Sequence, residues 1–221
     1  MSVWGKLAST AAGLVAHGPM EEQDEQREVA FTVGVITLGA KMAKADGIVT
    51  ADEVDAFKEV FKIPEGEMQN VARVFNLAKH DATGYETYAE QLAAMFKKNR
   101  KLLEDVLEGL FHIAKADQIL HPREEEFLSQ VAQRFGITEV EFSYIKARHV
   151  TAAKRNPYDV LGVDGSMSSD ELKNHYRRLV RENHPDRLMA RGVPKEFITI
   201  ATEKVAAINE AYDQIVKDRA T

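Results

Sequence analysis

The chain contains no cysteine, which excludes a disulfide framework and a thiolate zinc site and fits a reducing compartment. Proline and glycine are scarce, six and 13 in 221 residues, so long helices are expected rather than many short strands joined by tight turns. A long apolar run is missing too. Spanning a bilayer takes roughly 20 consecutive apolar residues. The best candidate, within MSVWGKLASTAAGLVAHG at the N-terminus, is shorter and is interrupted by Ser9, Thr10 and His17. Ala16-His17-Gly18 also fits a leader-peptide cleavage site poorly. The expectation is a cytoplasmic protein whose residues 1–21 form a tail. At most, that tail touches a membrane surface through Val3, Trp4, Leu7 and Leu14.

What is present is ordinary for a globular chain, with 44% apolar and 29% charged residues. The net charge of −6 conceals an asymmetry. Residues 1–150 carry 17 basic and 24 acidic side chains, whereas 151–221 carry 12 and 11. Between 172 and 191, Lys173, Arg177, Arg178, Arg181, Arg187 and Arg191 stand against only Glu182 and Asp186. A local cationic patch on an acidic protein suits an acidic protein partner better than nucleic acid.

After an acidic linker around PMEEQDEQ, apolar residues recur at helical spacing. Helices are expected over 29–45, 51–61, 65–79, 84–97, 100–116, 122–135 and 138–149. In LLEDVLEGLFHIAKA, Leu103, Val106, Leu107, Leu110, Ile113 and Ala114 make one broad stripe. No window alternates with period two for long enough to build a sheet, so the fold class is all-α.

An internal repeat appears at an offset of 71: AKADGIVTADEVDAF (43–57) aligns with AKADQILHPREEEFL (114–128). Each copy ends one helix and starts another, the first through Thr50 and Glu53, the second through Pro122 at the first helical position with Glu124 near it. The acidic turns invite comparison with a calcium loop. If Asp46 and Gly47 are placed at positions 5 and 6, Glu53 falls at position 12, but Met42 and Lys44 occupy positions that need side-chain oxygens. The loop fails as an EF-hand, and Asp46, Asp117, Glu53 and Glu124 read as turn and helix-start residues. No metal ligand set is assigned. The duplicated pattern over 22–149 resembles the TerB-like domain, which implies an all-α bundle; some members of that family are associated with metal binding.

From Asn156 the text changes. NPYDVLGV makes a helical turn closed by Gly162, and SMSSDELKNHYRRLVREN reads as one helix entered through Ser168 or Ser169. Its Leu172, Tyr176 and Leu179 or Val180 share a face, with Lys173, Arg177 and Arg181 on the flank or opposite side. Pro185 ends it, because the residue before a proline avoids helical backbone. After a loop through Gly192, Pro194 opens a last helix that can pack back through Phe197, Ala201, Val205, Ile208, Ala211 or Tyr212, and Ile215. The product is an antiparallel helical hairpin with His184-Pro185-Asp186 at its tip. A metal site would need further ligands beside His184 and Asp186, and hydrolysis would need a nucleophile and a pocket. Neither is evident.

YDVLGV, ELKNHYRRLVRENHPDR, the hairpin loop and INEAYDQI, in this order and spacing, resemble the J-domain of DnaJ-type co-chaperones over 156–221, after a linker at 150–155. Asn183 stands where an aromatic is common and His175 where a small residue is usual. The resemblance implies a non-enzymatic co-chaperone without cofactor. In it His184, Pro185 and Asp186, with Lys173, Tyr176, Arg177, Arg178 and Arg181, bind a DnaK-type chaperone and accelerate its ATP hydrolysis. The order of the domains resembles DjlA-type proteins, with the membrane-spanning helix of that type shortened. The helical domain would then select a target or location. Two other expectations stand beside this one: a metal-responsive regulator with the J-domain as output, and an assembly adaptor that uses the hairpin only for docking.

Overall fold

The computed structural model describes residues 20–45, 84–116, 120–149, 155–190 and 198–220, with isolated helical residues between 54 and 75. Every regular element among the described residues is a helix, so the all-α expectation holds. None of these helices is long and apolar enough to cross a membrane. The contacts divide the chain into two compact units, Met1–Gly136 and Ile137–Thr221. The N-terminal tail, with Val3, Trp4, Leu7 and Leu14, lies outside the described residues.

The first unit is built on α1 (Met20–Ala45), α2 (Tyr85–Met95), α3 (Arg100–Ala114) and α4 (Pro122–Arg134). Helix α1 begins at Met20, not at Val29. The acidic stretch read as a linker is helical, because Glu and Gln are good helix formers and negative charge suits a helix N-terminus. From Phe31 to Ala43, Val33 is the only position not buried. A helix buried on all sides is central, and α1 packs on α2, α3 and α4. Gly34 permits the approach to α2: a Cβ there would lie 2.9 Å from Leu92 Cδ2.

Helix α3 departs from its sequence pattern. Its apolar stripe is buried as expected, but Asp105 and Glu108 are buried as well, as is Lys41 on α1. None of these three charged residues lacks an interacting partner, as buried charge requires. Asn99 starts α3 by accepting from the Leu102 N–H at 3.3 Å. His121 starts α4: its N–H donates to Glu124 at 2.9 Å, its ring Nδ1 accepts from the Arg123 N–H, and Pro122 takes the first helical position. Met42, at a position where a calcium loop needs an oxygen, is fully buried in the core. The turns holding Asp46, Glu53 and Asp117, and most of the helices expected at 51–61 and 65–79, lie outside the described residues.

The second unit contains α5 (Glu139–His149), α6 (Pro157–Leu161), α7 (Ser169–Glu182), α8 (Pro185–Ala190) and α9 (Ile198–Arg219). The sequence pattern puts α5 with the preceding domain. By packing it sits on α6 and α9, burying Ile145 and resting Ala147 on the hairpin core. That core joins Val160, Leu161, Val163, Leu172, Ile208 and Ile215. Across it the rings of Tyr176 and Tyr212 stack at 4.0 Å, and the Tyr176 hydroxyl donates to Asn209 at 3.0 Å. From the last turn of α9, Arg219 donates to the carbonyls of Met167 at 2.8 Å and Gly165 at 3.3 Å. It thereby clamps the loop before α7.

Gly162 ends α6 with φ 67°, its N–H bonded to Asp159 O and the next N–H to Tyr158 O. A Cβ there would also meet the Tyr144 ring of α5 at 3.0 Å. Gly162→Ala is expected to destabilise the second unit by about 1–3 kcal/mol, from the left-handed backbone plus the displaced ring. Gly165→Ala, with open space around it, is the control and should cost nothing comparable. Thermal melting followed by circular dichroism checks both; equal midpoints for the two variants would contradict this account.

Candidate partner-binding surface

Helix α7 is set by its start. The Ser168 hydroxyl accepts from the Glu171 N–H at 3.3 Å and donates to Glu171 Oε2 at 2.6 Å. The Ser168 N–H adds a third bond at 3.0 Å. These bonds, the hydroxyl first, hold the Glu171 carboxyl below its usual range. With the helix phased this way, Leu172 is buried and Tyr176, Leu179 and Val180 turn toward the hairpin core. Lys173, Arg177, Arg178 and Arg181 are all exposed. Three of them, at 173, 177 and 181, follow the four-residue spacing of one helix face, and Arg178 flanks it. Tyr176, grouped with them from sequence, is held inside the hairpin by its stack on Tyr212.

The triplet does more than stop a helix. Asn183 caps α7, and Pro185 opens a further short helix, α8, where a loop was expected. Proline suits that first helical position because the N–H it lacks would have had no helical partner. The His184 carbonyl accepts from the N–H groups of Arg187 at 2.9 Å and Leu188 at 3.2 Å, and buried Leu188 anchors the turn.

The side chains on either side of Pro185 are open to solvent, His184 53% and Asp186 79% exposed. The His184 Nδ1 accepts from the Asp186 N–H at 3.3 Å and lies 3.5 Å from Asp186 Oδ2. One nitrogen cannot do both at once. The neutral ring, protonated on Nε2, accepts the N–H; the imidazolium pairs with the carboxylate instead. Either way both groups face outward with donor and acceptor capacity unspent. Among the described residues, no three His, Cys, Asp or Glu side chains converge as a metal site would require.

Two neighbours carry structure that spacing alone does not reveal. Asn183 is 1% exposed; its amide donates to Leu179 O at 2.7 Å, leaving its Oδ1 without a partner. His175 links α7 to α6, its Nε2 lying 2.8 Å from Leu161 O, while Arg178 Nη2 lies 2.8 Å from its Nδ1. Both residues depart from the usual J-domain pattern, and that departure was the available signal.

An exposed His-Pro-Asp after a cationic helix, within an antiparallel hairpin, defines a J-domain protein. Residues 156–220 match the DnaJ domain, and residues 32–147 match the TerB family, described as tellurite resistance protein TerB. The chain belongs to the TerB family and carries a C-terminal DnaJ domain. It is similar to the co-chaperone protein DjlA of Photobacterium profundum, 27% identical across 94% of this chain and 84% of that one. It is also similar to DjlA of Coxiella burnetii, 28% identical across 88% and 79%. DjlA of Vibrio cholerae is 28% identical across 96% and 85%. No solved structure matches the chain.

The unpaired Asn183 oxygen gives a test of this corner of the fold. An orphaned buried acceptor costs about 1–3 kcal/mol, and an apolar side chain of the same shape removes that cost. Asn183→Leu is therefore expected to leave the melting temperature unchanged or raise it. Asn183→Asp, which buries an unpaired charge, should lower stability by about 3 kcal/mol or more. A clear loss of stability in the leucine variant would mean that the oxygen has a partner in solution.

Proposed function

We propose that this protein is a J-domain co-chaperone that recruits a DnaK-type chaperone and stimulates its ATP hydrolysis without being an enzyme itself. The observation that carries the reading is the solvent-facing His184/Asp186 pair immediately after a helix whose exposed side chains include Lys173, Arg177, Arg178 and Arg181. Cationic side chains at the rim of an interface steer an acidic partner and speed encounter. The rigid triplet then supplies short-range polar contacts that depend on geometry. The similarity to DjlA co-chaperones over most of both chains supports the same reading.

The helical N-terminal domain is proposed to select the target or the location. The chain has no cysteine for a zinc module and carries a separate helical unit before the hairpin in sequence, as expected of a specialised J-protein. The proposed site of action is the cytoplasm, motivated by the short and interrupted apolar stretch before His17. Membrane fractionation checks this: release of the full-length protein by carbonate is expected, and retention in the membrane pellet would contradict it.

Asp186→Asn should abolish ATPase stimulation while the fold is retained, since the carboxylate is exposed and supports no core contact. A charge-assisted hydrogen bond is worth roughly 1.5–3 kcal/mol, or about a tenfold to hundredfold loss. Arg177→Ala and Arg178→Ala should instead weaken apparent affinity, with an effect that shrinks as salt rises, because exposed charges are screened over about 8 Å at physiological ionic strength. Stimulation measured across salt concentrations, with circular dichroism as the folding control, separates these roles. Normal stimulation by folded Asp186→Asn protein would sink the co-chaperone reading.

A further inference from the structure

The two contacts of His175 fix its tautomer. Leu161 O can only accept and Arg178 Nη2 can only donate, and each lies 2.8 Å from a different ring nitrogen. Both bonds form in one state alone: the neutral imidazole with its proton on Nε2. The ring is fixed at one end by a backbone carbonyl at the close of α6, on a residue that is itself buried. At that helix end the carbonyls have no intrahelical donor, so the His175 bond fills a vacancy that α6 leaves by geometry. At its other end the ring holds the guanidinium one turn further along α7.

We propose that His175 is a positioning residue for Arg178, holding its guanidinium at the surface that an acidic partner chaperone contacts. The proposal rests on the co-chaperone reading above and extends it to a residue that does not itself face the partner. An exposed arginine carries considerable rotamer entropy, part of which is lost whenever a partner immobilises it. A side chain already ordered in the free protein loses less on binding. The bond to His175 uses one N–H of five, so the rest of the guanidinium fork stays available to a carboxylate. Arg177, the preceding cation, has no counterpart to this arrangement three residues back, where Asn174 is exposed. The two arginines therefore enter binding with different degrees of order.

The experiment measures the concentration of full-length protein giving half-maximal stimulation of a DnaK-type ATPase. It compares wild type, His175→Ala, Arg178→Ala and the double variant. His175→Ala should raise that concentration about twofold to fivefold, the range of an exposed charged contact, with the maximal rate unchanged. The double variant should be no worse than Arg178→Ala, because the histidine acts only through the arginine. His175→Gln, whose amide offers both a donor and an acceptor, should restore most of the loss. An effect that adds to that of Arg178→Ala, or no effect in folded His175→Ala protein, overturns the proposal. Nitrogen NMR of the wild-type imidazole provides a readout that needs no partner. For the neutral ring it should report the Nε2–H tautomer, and the Nδ1–H tautomer would refute the geometry. Wild-type protein that fails to stimulate at all overturns the co-chaperone reading, and the ring tautomer then decides the His175 geometry on its own.

Discussion

The seam between α7 and α9 carries most of what the second unit does. Leu172 and Tyr176 from one side meet Ile208, Ala211, Tyr212 and Ile215 from the other, and the stacked tyrosines add about 0.5–1.5 kcal/mol beyond the area they bury. Because this seam fixes the rotation of α7, it also decides which residues face water. A turn of the helix by one residue, about 100°, would carry the arginines toward the core and the apolar stripe outward. The cationic surface is thus a by-product of apolar packing. The capping bonds of Ser168 and Glu171 set where the helix starts, and the seam sets how it is turned.

The parts legible in the sequence are those decided within a few residues. Pro122 and Glu124 mark the start of α4 and Gly162 the end of α6, and each appears in the structure as expected; of the two serines offered for the start of α7, Ser168 is the cap. The triplet and its basic helix were equally readable, since helical spacing alone puts 173, 177 and 181 on one face. Less legible were features decided by distant segments. Asp105 and Glu108 lie outside the apolar stripe of α3, yet both are buried, because the apolar pattern cannot report how many neighbours a helix will have. The short helix α8 was hidden for a different reason. A proline that ends one helix can equally begin the next, and only the buried Leu188 tells them apart.

Asn183 and His175 show two uses of polarity next to a recognition motif. Asn183 spends its amide on Leu179 O, and its oxygen gets nothing in return, so it weakens the core it sits in. His175 satisfies both ring nitrogens with groups that would otherwise compete for water. The first reads as a tolerated defect behind the triplet; the second, as order imposed on the surface beside it.

Helix α5 lies mostly within the TerB match, which ends at residue 147, yet it folds with the unit that begins at Ile137. The border drawn by sequence kinship therefore falls in the last turn of α5, whereas the border drawn by folding falls before its first residue. A recombination event at the kinship border would leave Ile145 and Tyr144 behind and strip the hairpin of a wall it packs against. One at Gly136 would instead remove the last helix of the TerB match. The hairpin thus needs more chain than its own sequence motif marks, since its packing begins with α5.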